Sequence, residues 1–402
     1  MDFSWSDEEK LWRQTVRSFA EKHITPQVRN IDTNRQIPSE IIKKMAELGL
    51  LAPTVSSEYG GSNLSWTMAG IAAEELGRAD ISLAIPVLYL VEAAWGFILD
   101  KYGTDELKKE YLPRVCAGEG FCGIAVTEPE GGSDIVGAAK TIAKHQGTEW
   151  VLNGEKIYLS GITESKSWGG VHLTLCRTDA SAGHKGFSFF AVPIADNPSV
   201  TTTLFEDMGR MGISTGGFVL DNLALPDMHL IGEENKGFYY AMEGFSAARV
   251  LIGATCVGAA ESALAIGMDH IKNRNAFGRP LGSYEGVQFP LVEHYTNLES
   301  LKLLNYRAAW MLDQMYSAGG FNHHDVAKAA AMCKLRAPIY AFDAMNEVAD
   351  WLGALGYTKE FPVEMGIRGV RSYSIGAEGT LNIMRIIIAR ELLGKEFLPY
   401  RT

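Results

Sequence analysis

The feature that most constrains the fold of this chain is a change in the spacing of its apolar residues. Over 6–118, and again from 237 onward, apolar residues recur at helical spacing, whereas over about 121–231 the period shifts toward two. The order helices, strands, helices predicts an α+β protein with segregated domains and no parallel sheet. The expected domains are an N-terminal helical domain at 1–120, a central antiparallel β domain at 121–235 and a C-terminal four-helix bundle at 236–402.

Local signals predict individual elements within these three segments. Ser6-x-x-Glu9 is typical of a capping box at the start of the first helix. Asn153-Gly154, within 150–158, is a strong hairpin signal and predicts two strands joined by a tight turn. Further short strands are predicted at 121–125, 171–176, 186–192, 201–205 and 217–223. The helices of the bundle are predicted at 237–273, 285–317, 325–352 and about 381–393.

Net charge and cysteine content restrict the partners and the compartment. The formal net charge of −11 argues against nucleic acid or an anionic membrane as a partner, because both attract basic surfaces. The five cysteines are scattered without C-x-x-C spacing, which favours neither a disulfide framework nor a metal site. No uncharged apolar run approaches the roughly 18 residues of a membrane span, and the N-terminal residues lack the features of a targeting segment. We therefore expect a cytoplasmic protein without a bound metal and without membrane insertion.

A binding loop is predicted at 125–134, A-V-T-E-P-E-G-G-S-D, directly after the first strand. Pro129 and two glycines end the strand with turn chemistry, and the hydroxyls of Thr127 and Ser133 suit a ligand that approaches the backbone closely. The local chemistry fits an ordinary β-turn with a capping Ser-Asp pair equally well. A phosphate-binding P-loop and a dinucleotide-binding glycine motif are excluded, because their lysine and glycine spacings are absent.

Residues 127–134 also resemble the T-E-P-x-x-G-S-D signature of the acyl-CoA dehydrogenase family. Three further matches fall in the family's order and at roughly its separations: E-E-L-G-R-A-D at 74–80, R-N-A-F-G at 274–278 and E-G-T at 378–380. Four short motifs in register over nearly the whole chain are specific, and the chain is identified as a member of that family. The resemblance implies the acyl-CoA dehydrogenase fold, FAD as cofactor, α,β-dehydrogenation of an acyl-CoA thioester to a 2-enoyl-CoA, and electron transfer to an electron-transfer flavoprotein.

Glu378 is the candidate catalytic base. Flanking glycines and a following helix place its carboxylate on a mobile, partly apolar turn, where burial would raise its pKa toward the range needed for proton abstraction. From the residues alone, a glutamate that interacts with a helix macrodipole is the simpler hypothesis. The resemblance favours the base, because the family places its glutamate immediately before Gly-Thr and its alternative position is Ala248 here. It also implies that the Glu378 amide and a flavin ribityl hydroxyl stabilise the developing enolate while the β-hydride moves to N5 of FAD.

The resemblance further implies a set of cofactor contacts. Thr127 matches a threonine near the isoalloxazine, Tyr158 replaces the family's usual tryptophan beside the flavin, and Ser160 keeps a hydroxyl. Arg274 and Phe277 match residues that reach the FAD of a neighbouring subunit, which implies an oligomer, a homotetramer in the family. From the residues alone, Arg274 is equally a solvated cation at a helix end and Phe277 a core residue. The predicted cofactor-binding residues are Thr127, Ser133, Tyr158, Ser160, Arg274, Phe277, Thr380 and Asn382.

Four residues are predicted to contact the substrate. Ser133 matches a pantetheine contact, Arg249 matches an arginine that lines the thioester channel, and Gly379 adjoins the base. Ala377 stands where many straight-chain enzymes of the family have tyrosine, so it leaves room beside the reacting carbons. Aromatic side chains on the helix at 85–102 would shorten a straight channel, although a plain core role is the simpler interpretation of them. We therefore expect a short branched, alicyclic or aryl acyl group.

Several alternatives compete with this function. An acyl-CoA oxidase would reduce O₂ directly, but such enzymes usually have a longer chain with an extra C-terminal domain. A flavin monooxygenase of the same fold would not need Glu378. A non-catalytic protein would bind acyl-CoA or flavin without flavin reduction. Glu92 and Glu243 could be polar pocket groups that add a second chemistry, but surface or helix-packing roles are the simpler hypothesis for both.

Overall fold

The N-terminal region is helical. In the structure, a computed structural model, residues 4–317 and 319–399 are described. The capping box predicted at the start of the first helix is confirmed: the Ser6 hydroxyl accepts a hydrogen bond from the Glu9 amide at 3.2 Å, and the Glu9 carboxylate accepts one from the Ser6 amide at 2.7 Å. The helices of this region are α1 (Asp7–His23), α2 (Val28–Asn34), α3 (Ser39–Glu47), α4 (Trp66–Ala79), α5 (Ala84–Tyr102) and α6 (Asp105–Cys116).

The central region is built around one sheet. Its strands are β1 (Phe121–Ala125), β2 (Ile142–Gln146), β3 (Glu149–Ser160), β4 (Gly170–Arg177), β5 (Phe187–Val192), β6 (Val200–Leu204), β7 (Thr215–Pro226) and β8 (Leu230–Ile231). Their order is β6-β7-β3-β2-β4-β5-β8, and β1 pairs with β4. The connections include the short helices α7 (Ile135–Ala138) and α8 (Ile162–Trp168).

The prediction of a purely antiparallel sheet is wrong at β4. All of β1, Phe121–Ala125, pairs with β4 in parallel, and β2 meets β4 in parallel at Ile142 and Arg177. The other strand pairs of this sheet are antiparallel. A parallel pair is possible because β2, β3 and α8 form a connection long enough to return the chain to the same end of the sheet. An apolar period of two indicates which face is buried, but not the direction of the neighbouring strand.

The predicted hairpin at Asn153-Gly154 is also wrong. β3 continues through both residues and pairs with β7, with a shift of register between Leu152 and Gly154. Gly154 has a φ of +148°, and a Cβ atom there would lie 2.5 Å from the Cα of Thr141. The dipeptide therefore forms a β-bulge at a close backbone approach that requires glycine. The observed hairpin joins β2 to β3 through Gly147, which has a φ of +70°.

The C-terminal region is a helical bundle that contains the four predicted helices. An additional helix, residues 363–375, enlarges the four-helix bundle that the sequence predicts; its apolar face is short and interrupted by Gly366 and Gly369. The helices are α9 (Gly237–Asn273), α10 (Glu285–Ser317), α11 (His323–Leu352), α12 (Val363–Ile375) and α13 (Leu381–Leu393). Between α9 and α10 lies a small hairpin of β9 (Asn275–Ala276) and β10 (Arg279–Pro280).

The long helix α9 is central to the molecule and packs against α4, α5 and α11. Where it crosses α4 the backbones nearly touch: a Cβ atom at Gly77 would lie 2.3 Å from the carbonyl oxygen of Thr255, and one at Gly258 would lie 1.9 Å from that of Glu74. Only glycine permits this approach. By length and composition α9 could cross a membrane, but 78% of its apolar window is buried inside the protein, as in a core helix.

Candidate active site

The predicted base lies in the turn between α12 and α13. Residues 376–379 form the turn, and Thr380 then caps α13 by accepting a hydrogen bond from the amide of Ile383 at 3.3 Å. Glu378 has a φ of +55° and Gly379 a φ of +96°. The left-handed conformation costs a residue with a side chain about 1–2 kcal/mol. Such strain is concentrated at functional sites.

Two buried cations fix this turn through its carbonyl groups. The Nε of Arg249, on α9, donates to the carbonyl oxygen of Glu378 at 2.9 Å. The ammonium of Lys334, on α11, donates to the carbonyl oxygen of Gly379. Arg249 is 4% exposed and Lys334 is fully buried, so both charges meet backbone dipoles in place of water. Of the residues in this turn region, the sequence analysis identified Glu378, Arg249, Ala377 and Gly379 but not Lys334.

The carboxyl group of Glu378 has a pKa close to neutral pH. The residue is partly buried, and its Oε2 atom is buried without a hydrogen-bond partner among the described residues. Burial raises the pKa of Glu378 to about 7, against the positive charges of Arg249, Lys334 and Arg210, which favour the carboxylate. Burial also lowers the pKa of Lys334 to about 7 and that of Arg249 to about 10. A carboxyl group with a pKa near 7 can both lose and accept a proton at neutral pH, as general acid–base catalysis requires.

The backbone amide of Glu378 donates no hydrogen bond within the described residues, whereas the amides on either side of it do. The Ala377 amide donates to the carbonyl of Ser372 at 3.1 Å, and the Gly379 amide donates to that of Gly376 at 2.9 Å. Within residues 4–317 and 319–399, no hydrogen bond involves the Glu378 amide as donor. The turn therefore combines a hydrogen-bond donor with an unpartnered carboxyl oxygen, the pair needed to take a proton and stabilise the negative charge that develops beside it.

A second group of predicted residues lies at the end of β3. A register shift between Ile157 and Leu159 makes Tyr158 a bulged residue with a φ of +59°, and its side chain is 67% exposed. Bulges often redirect side chains beside functional sites. Ser160 follows on the same strand, and its hydroxyl accepts a hydrogen bond from Arg210 at 2.9 Å. The bulge thus directs an aromatic ring outward next to a hydroxyl of fixed position.

The predicted binding loop lies beside β3. The Ile157 amide donates to the Thr127 carbonyl at 2.9 Å, which attaches the start of the loop to the strand. Asp134 caps α7 by accepting a hydrogen bond from the Gly137 amide at 2.9 Å, as expected of an ordinary turn. The hydroxyls of Thr127 and Ser133 have no hydrogen-bond partner in the described part of the chain, and Ser133 is exposed. Both hydroxyls are therefore available to a ligand.

Glu128, within the same motif, anchors the loop. Its carboxylate is 5% exposed and accepts hydrogen bonds from the amides of Lys140 and Thr141 at 2.6 and 3.1 Å and from Nζ of Lys156 at 2.6 Å. Burial alone would raise the pKa of Glu128, but Lys156 and the other donors keep it below its usual value. Lys156 is fully buried and also donates to the carbonyl of Val126 at 3.1 Å. This buried ion pair fixes the backbone beside Thr127.

Arg210 lies between the base turn and β3, and the sequence analysis did not identify it. It follows β6, is 8% exposed, and donates to the hydroxyls of Ser160 and Thr215, both at 2.9 Å. Its charge also favours the ionised form of Glu378. Arg210 thus acts on both groups of predicted residues. No local motif signals it, because its role depends on contacts with segments far apart in the sequence.

Arg274 and Phe277 lie away from these groups. Arg274 caps the C-terminal end of α9, directly before the β9–β10 hairpin. Phe277 and Gly278 form the turn of that hairpin with φ of +49° and +83°, typical of type I′. Phe277 is 99% exposed, so its alternative assignment as a core residue is wrong. Arg249 and Arg274 are 25 residues apart along α9, about 37 Å along the helix axis. One chain therefore does not bring Arg274 to its own Glu378.

The structure also shows the contacts of Asn382 and of the two alternative acidic residues, Glu243 and Glu92. Asn382, in the first turn of α13, is exposed and accepts a hydrogen bond from Arg385 at 2.8 Å. Glu243 accepts hydrogen bonds from Lys101, Tyr102 and Tyr316 at 2.6–2.7 Å, and so joins α9 to α5 and α10. Glu92 is fully buried in α5, and neither of its oxygens has a partner among the described residues. Burial raises the pKa of Glu92 well above its usual value.

The chain matches three family models over most of its length. Residues 6–119 match the acyl-CoA dehydrogenase N-terminal domain, 123–223 the middle domain and 235–393 the C-terminal domain.

Individual proteins and structures give the same result. The mitochondrial short-chain specific acyl-CoA dehydrogenase of Mus musculus is 34% identical over 385 residues, covering 96% of this chain and 90% of that protein. A 3-(aryl)acrylate reductase of Clostridium sporogenes is 33% identical over 394 residues, covering 97% of this chain and 99% of that protein. The structure of glutaryl-coenzyme A dehydrogenase in complex with glutaryl-CoA superimposes with a TM-score of 0.89 at 29% identity, covering 100% of this chain and 99% of that one.

Proposed function

This chain belongs to the acyl-CoA dehydrogenase family of FAD-dependent oxidoreductases that act on CH–CH bonds, and we propose that it catalyses α,β-dehydrogenation of an acyl-CoA thioester. The observation that best supports this activity is the Glu378 turn, where a buried carboxyl oxygen adjoins a backbone N–H and neither has a hydrogen-bond partner within residues 4–317 and 319–399. Neither group contributes to holding the helices together. Both are suited to a substrate that loses a proton next to a carbonyl group.

In the proposed reaction Glu378 removes the α-proton of the thioester. An α-carbon acid is too weak for a carboxylate unless the charge that develops on the carbonyl oxygen is stabilised. The Glu378 amide donates a hydrogen bond to that oxygen, and Arg249 orients the adjoining peptide through its 2.9 Å contact with the Glu378 carbonyl. With a pKa of about 7, the carboxylate is present at neutral pH and is more basic than an exposed glutamate.

The residues at the edge of the sheet fit a bound flavin. Thr127 offers a hydroxyl without a partner among the described residues, Tyr158 offers an exposed aromatic ring, and Ser160 offers a hydroxyl oriented by Arg210. When bound, FAD accepts the β-hydrogen as a hydride. Ser133 is assigned to both the cofactor and the pantetheine arm of the substrate. The proposed cofactor contacts within one chain are Thr127, Ser133, Tyr158, Ser160, Thr380 and Asn382.

We propose that a second copy of the chain completes the cofactor site. Phe277 is almost fully exposed, and Arg274 lies about 37 Å along α9 from Arg249, more than the length of an extended dinucleotide. The family resemblance assigns both residues to the FAD of a neighbouring subunit, and this exposure and separation support that assignment. This arrangement supports a homotetramer of the kind that the family resemblance implies.

The surroundings of the base favour a short, bulky acyl group. The buried ring of Trp95 packs edge-on against Phe245 at 5.3 Å and lies against Gly244, where a Cβ atom would be 2.3 Å from the ring. The Arg249 guanidinium lies 5.5 Å from the Phe245 ring. These aromatic rings restrict the apolar space near the base, whereas Ala377 adds room beside it. We therefore propose a branched, alicyclic or aryl thioester as substrate.

The test is an anaerobic titration of the purified holoenzyme with straight-chain, branched, alicyclic and aryl acyl-CoAs. The proposal predicts that one class bleaches the oxidised flavin absorbance and that Ala377→Tyr shifts the preference toward a straight chain. The proposed substrate class is wrong if butyryl-CoA bleaches the flavin of the native enzyme most efficiently. The dehydrogenase activity is wrong if the flavin is present and no thioester bleaches it.

A second candidate is the reverse reaction, reduction of a 2-enoyl thioester. The 33% identity to a 3-(aryl)acrylate reductase supports it, as does a base with a pKa near 7, which is protonated often enough to return a proton. The same residues serve both directions, with Glu378 as the acid in the reduction. Chemically reduced enzyme, mixed anaerobically with cinnamoyl-CoA, should be reoxidised faster than saturated aryl-CoA bleaches the oxidised enzyme if reduction is the main direction.

We further propose that an electron-transfer flavoprotein accepts the electrons, and that the protein is cytoplasmic. All five cysteines are unpaired and buried, which fits a reducing compartment. Slow reoxidation of the substrate-reduced enzyme in air, and fast reoxidation by an added electron-transfer flavoprotein, are expected. Fast reoxidation in air would favour an acyl-CoA oxidase.

A further inference from the structure

Lys334 is a fully buried lysine without a carboxylate at ion-pair distance among the described residues. The other lysines of low exposure have such partners: Lys156 pairs with Glu128 at 2.6 Å, and Lys302 pairs with Glu261. Lys334 instead donates to a backbone carbonyl in the turn between α12 and α13. A buried ammonium without a counter-ion is destabilising, so its presence here needs a reason other than stability.

The reason lies in the backbone of the turn. Arg249 binds the carbonyl of Glu378, and Lys334 binds the carbonyl of the next residue, Gly379. These two cations come from different helices, α9 and α11, and together they fix two successive peptide groups. Both residues of the turn have positive φ, a conformation that Glu378 would otherwise avoid. Removing either cation would let the turn relax and move the carboxylate and amide of Glu378.

We propose that Lys334 is a positioning residue for catalysis. It holds the Glu378–Gly379 turn so that the carboxylate and the amide of Glu378 can both contact the same substrate molecule. This inference rests on the proposed function of Glu378 as the base. It assigns no contact between Lys334 and the substrate. Lys334 acts through the Gly379 carbonyl and through its charge.

The charge of Lys334 has a second consequence. The charged groups that face Glu378 are Arg249 from α9, Lys334 from α11 and Arg210 from the β6–β7 connection. Lys334 in turn faces Arg249, Glu378 and the Cys256 thiol. A positive charge near a carboxyl group favours its ionised form. Loss of Lys334 should therefore raise the pKa of Glu378, in addition to loosening the turn.

The experiment compares Lys334→Met, Lys334→Arg and the native holoenzyme in anaerobic stopped-flow reduction over pH 5–9. Lys334→Met should keep its FAD and bind acyl-CoA normally, but its limiting rate should fall about 10- to 100-fold. The midpoint of its pH profile should rise by about one unit. Lys334→Arg stays charged over the whole range, whereas native Lys334 loses its proton near pH 7. Its different donor geometry should lower the rate, and its midpoint should not rise above that of the native enzyme.

Lys302→Met is the matched control, because it removes a partly buried lysine of the same bundle that has no contact with the turn. Its pH midpoint should not change. The inference is overturned if Lys334→Met retains both the native rate and the native midpoint, or if Lys302→Met shifts the midpoint equally. If Lys334→Met does not bind FAD, the inference depends on Lys334→Arg, and it is overturned when that variant has the native rate.

A readout without turnover separates this inference from the proposed function. The protonated carboxyl of Glu378 can be titrated by infrared difference spectroscopy, with Glu378→Gln as the reference that removes its signal. The midpoint of that titration should rise in Lys334→Met whether or not a thioester reduces the flavin. An unchanged infrared midpoint overturns the electrostatic effect of Lys334, whereas a raised midpoint without any flavin reduction leaves that effect standing and rejects the proposed function.

Discussion

Two glutamates in this protein, Glu128, which is buried, and Glu378, which is partly buried, have opposite surroundings. Glu128, in the loop beside β3, accepts hydrogen bonds from two amides and from Lys156, and its pKa lies below the usual value. Glu378, in the turn before α13, has a buried oxygen without a partner, and burial raises its pKa to about 7. Both sit in short motifs that match the family. The difference indicates that cations which bind a carboxylate directly lower its pKa, whereas burial prevails where the cations bind the adjoining backbone.

The largest effect should follow from removing the reactive member of this pair. Glu378→Gln keeps the volume of the side chain but cannot accept the α-proton, so the rate of flavin reduction by acyl-CoA should fall by about 10³-fold or more. Rapid-mixing absorbance measures the rate, and FAD content measured on the same sample checks the site. A Glu378→Gln enzyme that still bleaches within tenfold of the native rate would show that another group is the base.

The same variant should be more stable than the native protein at alkaline pH. The pKa of Glu378 in the folded protein, about 7, is above its usual value of 4.5, so its ionisation opposes folding as the pH rises through this interval. Glutamine removes that penalty. The Tm of Glu378→Gln relative to the native holoenzyme should therefore increase between pH 5 and pH 8. A difference in Tm that does not depend on pH would contradict the raised pKa.

Removing the structural member of the pair should mainly affect stability. Glu128→Gln leaves the ammonium of Lys156 buried without its counter-ion, which should cost about 3–5 kcal/mol of unfolding free energy. Urea denaturation measures the loss, and Glu155→Gln, an exposed neighbour of Lys156 in sequence, is the control with little expected effect. Molecules that retain FAD should reduce it within about tenfold of the native rate.

The pH dependence of this stability has the opposite sign to that of Glu378. Because the folded-state pKa of Glu128 is lowered, its contribution is present above the usual pKa of glutamate and is lost as the pH falls through the folded value. The difference in unfolding free energy between native protein and Glu128→Gln should therefore shrink in acid. A loss of unfolding free energy below about 1 kcal/mol at pH 7 would mean that the Glu128–Lys156 pair contributes no more than an ordinary surface ion pair.

A smaller effect should come from Arg210, which contacts one region and acts electrostatically on the other. In Arg210→Lys a single ammonium cannot reproduce the two hydrogen bonds to Ser160 and Thr215. FAD affinity, measured by fluorescence on reconstitution, should fall about tenfold, the equivalent of about 1.4 kcal/mol. The pH midpoint of reduction should change little because the charge remains. Equal losses in Arg368→Lys, whose partners are Glu364 and Asp32, would indicate a general loss of folding.

The smallest effect should come from Glu92. Its carboxyl group tests the effect of burial alone, whereas that of Glu378 is buried beside cations. Glu92 is fully buried, neither of its carboxyl oxygens has a hydrogen-bond partner among the described residues, and burial raises its pKa well above the usual value, which favours the neutral form. Glu92→Gln replaces one neutral group with another, so stability should change by less than about 1 kcal/mol. Steady-state kinetics should be unchanged. A large loss of turnover would instead support a second acidic group in the chemistry.

The sequence predicted the helices better than it predicted sheet pairing. Apolar spacing is a local property, and it placed α9 at its observed bounds, Gly237–Asn273. The direction of β1 beside β4, and the bulge at Asn153-Gly154, depend on contacts between distant strands. Asn-Gly favours a tight turn only where the chain reverses, and the continuous pairing of β3 with β7 prevents reversal there.

The site shows the same division between local and distant information. Motif resemblance pointed to Glu378, Arg249 and Tyr158 of the proposed site, because each matches a position of the family's pattern. It did not identify Lys334, Arg210 or the partner of Glu128, which act from other segments. The short motif at 127–134 also gave no sign that its glutamate would be structural. Only the hydrogen-bond partners in the folded chain distinguish the two glutamates.

The most direct test of this account is the pH dependence of anaerobic flavin reduction by a thioester that bleaches the native enzyme. If Glu378 is a base whose pKa is raised by burial, the limiting rate should rise as the pH increases through about 7, and this rise should be lost in Glu378→Gln. A rate that does not change between pH 5 and pH 9, or a midpoint at the usual value of a glutamate, would contradict the central claim.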